Sequence, residues 1–139
     1  MARLYAQFGA VLFLVVGFGG LFTGDAGTLV HHLPGGNFGP MTLHLTYVRD
    51  VLDLVIGGAL AFAGFRAEQR ITEEIVLTVG VVLLLLALIG FVNPDTATKA
   101  RSIAGIHFTE VMNIFDVIAG ALGVLCGLGG TASEPAVAA

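Results

Sequence analysis

Two long stretches without a charged residue constrain the fold of this chain more than any other feature. Residues 8–22 are all apolar or glycine, and residues 77–92 add only Thr78 to those types. About 20 apolar residues in helical conformation cross the roughly 30 Å hydrocarbon core of a bilayer. With their flanks both stretches reach that length, so the sequence predicts membrane-spanning helices with the lipid bilayer as their partner.

Composition supports one membrane domain over residues 1–139, because 56% of the residues are hydrophobic and only 12% are charged. The net charge of -4 and the absence of a Lys/Arg cluster argue against nucleic acid. A single cysteine, Cys126, excludes an internal disulfide and a CxxC motif. Residues 1–24 have the layout of a signal peptide. We expect them to be retained, because a similar run recurs at residues 79–95.

The chain contains an internal repeat. In the first blocks Gly20 matches Gly90 and Asp25 matches Asp95, each pair closing an apolar run. The second blocks match at a shorter offset, because the first loop is longer. The matched pairs there are His44 and His107, Thr46 and Thr109, Asp50 and Asn113, Asp53 and Asp116, and Gly57 and Gly120. We therefore predict a duplication, with repeat 1 at about 4–65 and repeat 2 at about 73–128.

These patterns predict an all-α integral membrane four-helix bundle made of two duplicated helical hairpins. The expected helices are residues 4–22, 41–65, 73–92 and 102–128, and residues 129–139 should form a flexible tail. Both hairpins enter the membrane from the same side, which gives a parallel pseudo-twofold repeat rather than an inverted one.

The basic residues give the expected orientation. Arg3, Arg66 and Arg70 lie on the side of the N-terminus and second loop, whereas Lys99 and Arg101 lie on the side of the third loop. Cytoplasmic loops carry the excess of Lys and Arg. We therefore predict a multi-pass protein of the cytoplasmic membrane with both termini in the cytoplasm.

Polar residues recur at every third position near the start of the second and fourth helices, forming two inclined ridges. The first ridge is His44, Tyr47, Asp50 and Asp53, and the second is His107, Glu110, Asn113 and Asp116. Measured from the ridge starts at His44 and His107, Asp53 and Asp116 should lie roughly 12 to 15 Å deep along the helix. A lipid-facing carboxylate costs at least about 2.5 to 3.5 kcal/mol, so both ridges should face inward. Arg49 and Asp53 lie one turn apart and can pair within the helix.

This intramembrane polar cluster has three interpretations. Its members can bond to one another and hold helices together. Because the acids outnumber Arg49, Asp53 and Asp116 can instead serve proton or small-cation conduction. Finally, the repeat-related His44 and His107 suit bis-histidine haem, which would give a Soret band lost on His44→Ala. We predict no bound cofactor otherwise, no metal site and, since no catalytic motif is present, no enzyme.

Small residues follow one face of each of these helices. They are Gly57, Ala61 and Gly64 in the second helix and Ala119, Gly123 and Gly127 in the fourth. Such faces let helix backbones approach closely in membranes. They can join the hairpins or face neighbouring subunits. We therefore expect a structural or accessory subunit that packs into a homo-oligomer or a larger membrane complex.

The ridges also resemble a motif of small four-span bacterial membrane proteins with no established activity. That family has a glycine-punctuated first span, then a second span with His-Asn-x-x-His before an apolar stretch with glycine, and the pattern repeats. The corresponding positions are Arg49-Asp50-x-x-Asp53 before Gly57 and Met112-Asn113-x-x-Asp116 before Gly120. Over residues 5–130 the resemblance implies four spans and membrane location. The resemblance implies no metal or haem ligation here, because aspartate stands in both repeats where the family has its second histidine.

Overall fold

Four helices make up most of the chain in the computed structural model, which describes residues 1–23, 37–38, 41–42, 46–92, 102–104 and 106–131. The helices are α1 (Ala2–Thr23), α2 (Tyr47–Phe65), α3 (Gln69–Val92) and α4 (Glu110–Thr131). Two antiparallel pairs of two-residue strands lie between them: β1 (Asn37–Phe38) with β2 (Met41–Thr42), and β3 (Ser102–Ile103) with β4 (Ile106–His107). The predicted all-α four-helix bundle is confirmed.

Three of the helices are long and apolar enough to cross a membrane, namely Ala2–Phe22, Gln69–Val92 and Glu110–Gly129. α2 differs because its 19 residues include Arg49, Asp50 and Asp53. All three of these charged side chains are buried. The helices expose large apolar side chains instead, such as Phe8 at 71% and Leu125 at 68%. This inversion of the usual polar surface is consistent with a bundle that lies in lipid.

Two helices begin later than the sequence predicts. α2 was expected from residue 41 and begins at Tyr47, and α4 was expected from residue 102 and begins at Glu110. In the second case β3 and β4 occupy the preceding residues, and Ala104 between them adopts a positive φ of 52° that no helix allows. Apolar residues lie on both sides of each of these helix starts, so the hydrophobic periodicity of the sequence does not mark where the helix begins. α3 begins slightly earlier than expected, at Gln69.

Glycines in α2 and α4 allow the preceding helix of the chain to pack directly against the backbone. A Cβ at Gly57 would approach Leu14 Cγ of α1 to 2.8 Å, and a Cβ at Gly120 would approach Leu84 Cγ of α3 to 2.9 Å. Leu14 and Leu84 are separated by the same interval as Gly20 and Gly90. We call α1 with α2 the first hairpin and α3 with α4 the second hairpin. Their internal contacts match, as a duplication predicts, while the duplication itself stays a prediction.

The two hairpins meet through a mixture of apolar and polar contacts. Phe13 of α1 packs edge to face against Phe115 of α4, with ring centroids 5.7 Å apart. The Tyr5 hydroxyl donates to the Ala119 carbonyl at 2.8 Å. Tyr5 also lies over Gly123, where a Cβ would come 3.0 Å from the hydroxyl oxygen. The interface therefore has polar bonds that lipid cannot replace.

Candidate functional site: a buried charge cluster

Threonine caps fix where the polar residues of α2 and α4 stand. Thr46 Oγ1 accepts from the Arg49 backbone N–H at 3.3 Å, and Thr109 Oγ1 accepts from the Met112 backbone N–H at the same distance. This is the usual N-cap contact, which satisfies one of the unpaired donors at a helix start. The caps place Asp53 and Asp116 at equivalent turns, and from Tyr47 and Glu110 each lies only about 9 Å along the helix axis. The predicted depth of 12 to 15 Å was too large, because both helices begin later than expected.

Arg49 lies between two aspartates from different helices. Its Nε donates to Asp53 Oδ1 at 3.1 Å, which is the pair predicted within α2. Its Nη1 and Nη2 donate to the two carboxylate oxygens of Asp116 in α4 at 2.8 and 2.7 Å. This parallel two-bond arrangement is the strongest geometry that a guanidinium and a carboxylate adopt. We call Arg49, Asp53 and Asp116 the charge cluster, and it links the first hairpin to the second.

The charge cluster is buried. Arg49 is 2% exposed, and Asp53 and Asp116 are fully buried. Ions removed from water lose hydration energy that their mutual attraction offsets only when the geometry is good and the hydrogen bonds are made. Here every guanidinium nitrogen has a carboxylate partner. Removal of Arg49 would leave two buried carboxylates without the cation that joins them, so the cluster is best understood as a device that holds the assembled bundle.

Asp50 and Asn113 occupy matching places beside the charge cluster. Asp50 is fully buried and Asn113 is 2% exposed. A Cβ at Gly20 of α1 would collide with the Asp50 carboxyl group, and a Cβ at Gly90 of α3 would collide with the Asn113 amide in the same way. Each polar group is thus seated on a glycine of its own hairpin. The two ridges match in structure at these positions.

Tyr47 and Glu110 are the outer ridge residues whose side chains the structure describes, and neither belongs to the charge cluster. His44 lies outside the described residues, and of His107 the structure describes only the backbone, as part of β4. Glu110 is exposed and lies in the first turn of α4, where a carboxylate favours the positive end of the helix dipole. Tyr47 is 48% exposed. The inward ridges are therefore shorter than predicted, and haem binding by His44 and His107 stays a prediction.

The predicted packing residues act mainly inside each hairpin. Gly64 lies against Gln7 of α1, and Gly127 lies against Leu77 of α3. Gly123 approaches Gly80 of α3 as well as Tyr5. Ala61 and Ala119 are half-buried and pack against the apolar core. The Ala119 and Gly123 region also contacts Tyr5 of the other hairpin, whereas Gly64 and Gly127 approach the helix that packs within their own hairpin.

The bond from Arg49 to Asp116 is the feature that sequence reasoning missed. Each predicted ridge consists of residues at every third position, and Arg49 is not one of those residues. The sequence did contain a signal for this contact, because Asp116 is the repeat counterpart of Asp53. The predicted pseudo-twofold axis between the repeats places both residues at the same depth in the bundle. No spacing within one helix, however, indicates that a side chain reaches another helix.

Among the described residues, no group of three His, Cys, Asp or Glu side chains is arranged to hold a metal ion. Comparisons with family models, curated proteins and solved structures find no match for this chain. The resemblance to the four-span bacterial family therefore stays a prediction.

Moving the arginine to the other hairpin tests the symmetry of the charge cluster. We expect Arg49→Met to destabilise the bundle by about 3 to 5 kcal/mol, because it leaves buried carboxylates without a cation. Met112 is the repeat counterpart of Arg49 and lies four residues before Asp116. The double variant Arg49→Met with Met112→Arg should therefore recover much of that loss. Unfolding in detergent, followed by circular dichroism, measures both.

Met112→Arg alone is the matched control, and it should also be destabilising because it places a second cation in a filled cluster. A double variant no more stable than Arg49→Met would contradict the proposed equivalence of the two positions.

Proposed function

We propose that the chain is a duplicated, multi-pass protein of the cytoplasmic membrane that acts as a structural or accessory subunit of an oligomer or larger membrane complex. The observation that carries this proposal is the closed charge cluster. Arg49, Asp53 and Asp116 are buried and bonded to one another. Polar groups used in this way stabilise an assembly and offer no open position to a substrate. We therefore include a non-catalytic role in the proposal.

The outer surface supports the same proposal. Large apolar side chains are exposed on every helix, including Val15 on α1, Val55 on α2, Leu88 on α3 and Leu125 on α4. In lipid such faces associate by close packing rather than by the hydrophobic effect. Most of the described residues lie in the four helices, so the helix faces are the main described surface available to a partner.

Assembly in native membranes is the direct test. After mild crosslinking and purification in a gentle detergent, we expect a self-assembled species or a stoichiometric partner, with mass measured by light scattering. Tryptophan substitutions at Val15, Val55, Leu88 and Leu125 serve as matched probes. A position in the interface should disrupt the assembly because packing there is close, whereas lipid-facing positions should tolerate the larger ring. A monomer in native membranes for every variant would contradict the proposal.

The orientation proposed here places both termini in the cytoplasm. Arg3 Nη2 donates to the Ala67 carbonyl at 2.8 Å, so the N-terminus and the connection between α2 and α3 lie at the same end of the bundle. In a Cys126→Ala background, a cysteine at exposed Glu68 should resist an impermeant maleimide in intact cells and react after permeabilisation. Rapid labelling of intact cells would reverse the orientation.

A proton or small-cation conductor built on Asp53 and Asp116 is the second candidate. One observation favours it: among the described residues, three buried acids face a single buried cation. In a liposome assay with a pH-sensitive dye, a conductor predicts flux that the double variant Asp53→Asn with Asp116→Asn abolishes. A structural subunit predicts flux no greater than that of empty liposomes. We favour the structural result, because both carboxylates are bound by Arg49.

A further inference from the structure

Two arginines lie at the end of the bundle where α1 begins and α2 ends. Arg3 is in the first turn of α1, and its Nη2 donates to the Ala67 carbonyl at 2.8 Å, one residue beyond Arg66. Arg66 is the C-cap of α2, and its backbone N–H donates to the Phe62 carbonyl at 2.9 Å. Both arginines are exposed. Their cationic side chains therefore extend from neighbouring points of one surface.

The backbone beneath both arginines is fixed by contacts between helices. Gln7 Nε2 donates to the Gly64 carbonyl at 3.1 Å, which holds the start of α1 against the end of α2. Thr72 Oγ1 donates to the Ala63 carbonyl at 2.8 Å, which holds the start of α3 against the same end of α2. A ligand that bridges the two arginines would therefore not have to order the backbone first, and that saving favours binding.

Among the described residues, no acidic side chain forms an ion pair with Arg3 or Arg66. The first turn of α1, which is fully described, has no acidic residue, so the positive end of its helix dipole adds to the charge of Arg3. The Ala67 carbonyl accepts from one guanidinium nitrogen of Arg3, and each arginine carries five N–H donors. The described residues therefore leave most donors of both guanidinium groups to an external anion.

The rest of this end of the bundle does not attract anions strongly. Its described arginines are equal in number to its described glutamates, which are Glu68, Glu73 and Glu74. Arg70 pairs with Glu74 at 3.1 Å, and Glu73 accepts from the Gln69 side chain. Attraction of an anion to this end as a whole is therefore weak, and binding has to come from the local pair of arginines.

Exposed aromatic rings lie next to Arg66 on the side of the hydrocarbon core. Phe65 and Phe62 are both exposed, and Phe62 lies one turn before Arg66 on the same face of α2. In lipid, acyl chains contact these rings while the headgroup of the same molecule reaches the guanidinium group. A free phosphate ion gains only the contact with the guanidinium group. The surface therefore fits a phospholipid better than a soluble anion.

We propose that Arg3 and Arg66 form a binding site for the phosphate headgroup of an anionic phospholipid, whose acyl chains lie against the Phe62 face of α2. Guanidinium groups bind phosphate oxygens through paired N–H donors. A zwitterionic headgroup gains less from two cations, because its own ammonium group offsets the phosphate charge. The site rests on the proposed membrane location alone. A monomer would bind the same lipid, so failure of the proposed assembly would leave this result unchanged.

Lipid retention by the full-length protein tests the site. The protein is equilibrated in mild detergent with equal amounts of anionic phosphatidylglycerol and zwitterionic phosphatidylcholine, and native mass spectrometry measures the lipid bound to each chain. We expect the wild type to prefer phosphatidylglycerol. Arg3→Gln and Arg66→Gln should each lower the affinity for phosphatidylglycerol about fivefold, the usual effect of one arginine at an anionic membrane surface. The double variant should retain both lipids equally.

Arg70→Gln is the matched control, because it removes the same charge from the same end but from an ion pair on α3. It should keep the preference for phosphatidylglycerol. Equal retention of both lipids by the wild type, an unchanged preference in the double variant, or loss of the preference in Arg70→Gln would overturn the proposal.

Two further measurements separate the site from misfolding and from soluble anions. The Arg66 side chain makes no hydrogen bond to another described residue, so Arg66→Gln should unfold at the wild-type temperature while its lipid affinity falls. Inorganic phosphate at the concentration of the lipid should leave bound phosphatidylglycerol in place. Displacement of the lipid by phosphate would assign the two arginines to a soluble anion, and would overturn the proposal.

Discussion

The bidentate bond between Arg49 and Asp116 is the interaction on which the assembled bundle depends. In lipid, apolar helix faces gain little by leaving their surroundings, so helices associate through close packing and polar contacts. Arg49 supplies the strongest such contact between the hairpins, and it also holds Asp53 on its own helix. A buried cation with two acids from two helices is stable only when both hairpins are in place.

The packing within each hairpin differs from the packing between hairpins. Glycines such as Gly57 and Gly120 let backbones approach within each hairpin, and the facing leucines fill the space. Between hairpins a shared apolar core is combined with specific contacts, namely the ring pair of Phe13 and Phe115, the bond from Tyr5, the bond from Thr72 to the Ala63 carbonyl, and the charge cluster. Close backbone approach thus shapes the hairpins, and polar bonds within an apolar core join them.

The sequence predicted the helices and the inward position of Asp50, Asp53, Asn113 and Asp116, because apolar runs and the cost of lipid-facing charge are local properties. It misplaced the starts of α2 and α4, where apolar residues continue through the strands that precede each helix. It also assigned Glu110 and Tyr47 to the interior, although a helix start near water tolerates them outside. The bond from Arg49 to Asp116 required the relative placement of two helices, which no pattern within one helix encodes.

The differences between the two hairpins are as informative as their match. Arg49 and Asp50 of the first hairpin stand where the second has Met112 and Asn113, so one cation and one acid are replaced together by two uncharged residues. The second hairpin keeps Asp116 but has no buried cation of its own among its described residues. Among the described residues, the first hairpin can pair Arg49 with Asp53 internally, whereas the second hairpin gains a cation for Asp116 by packing against Arg49. The single buried cation of the described residues is thus shared between the two hairpins.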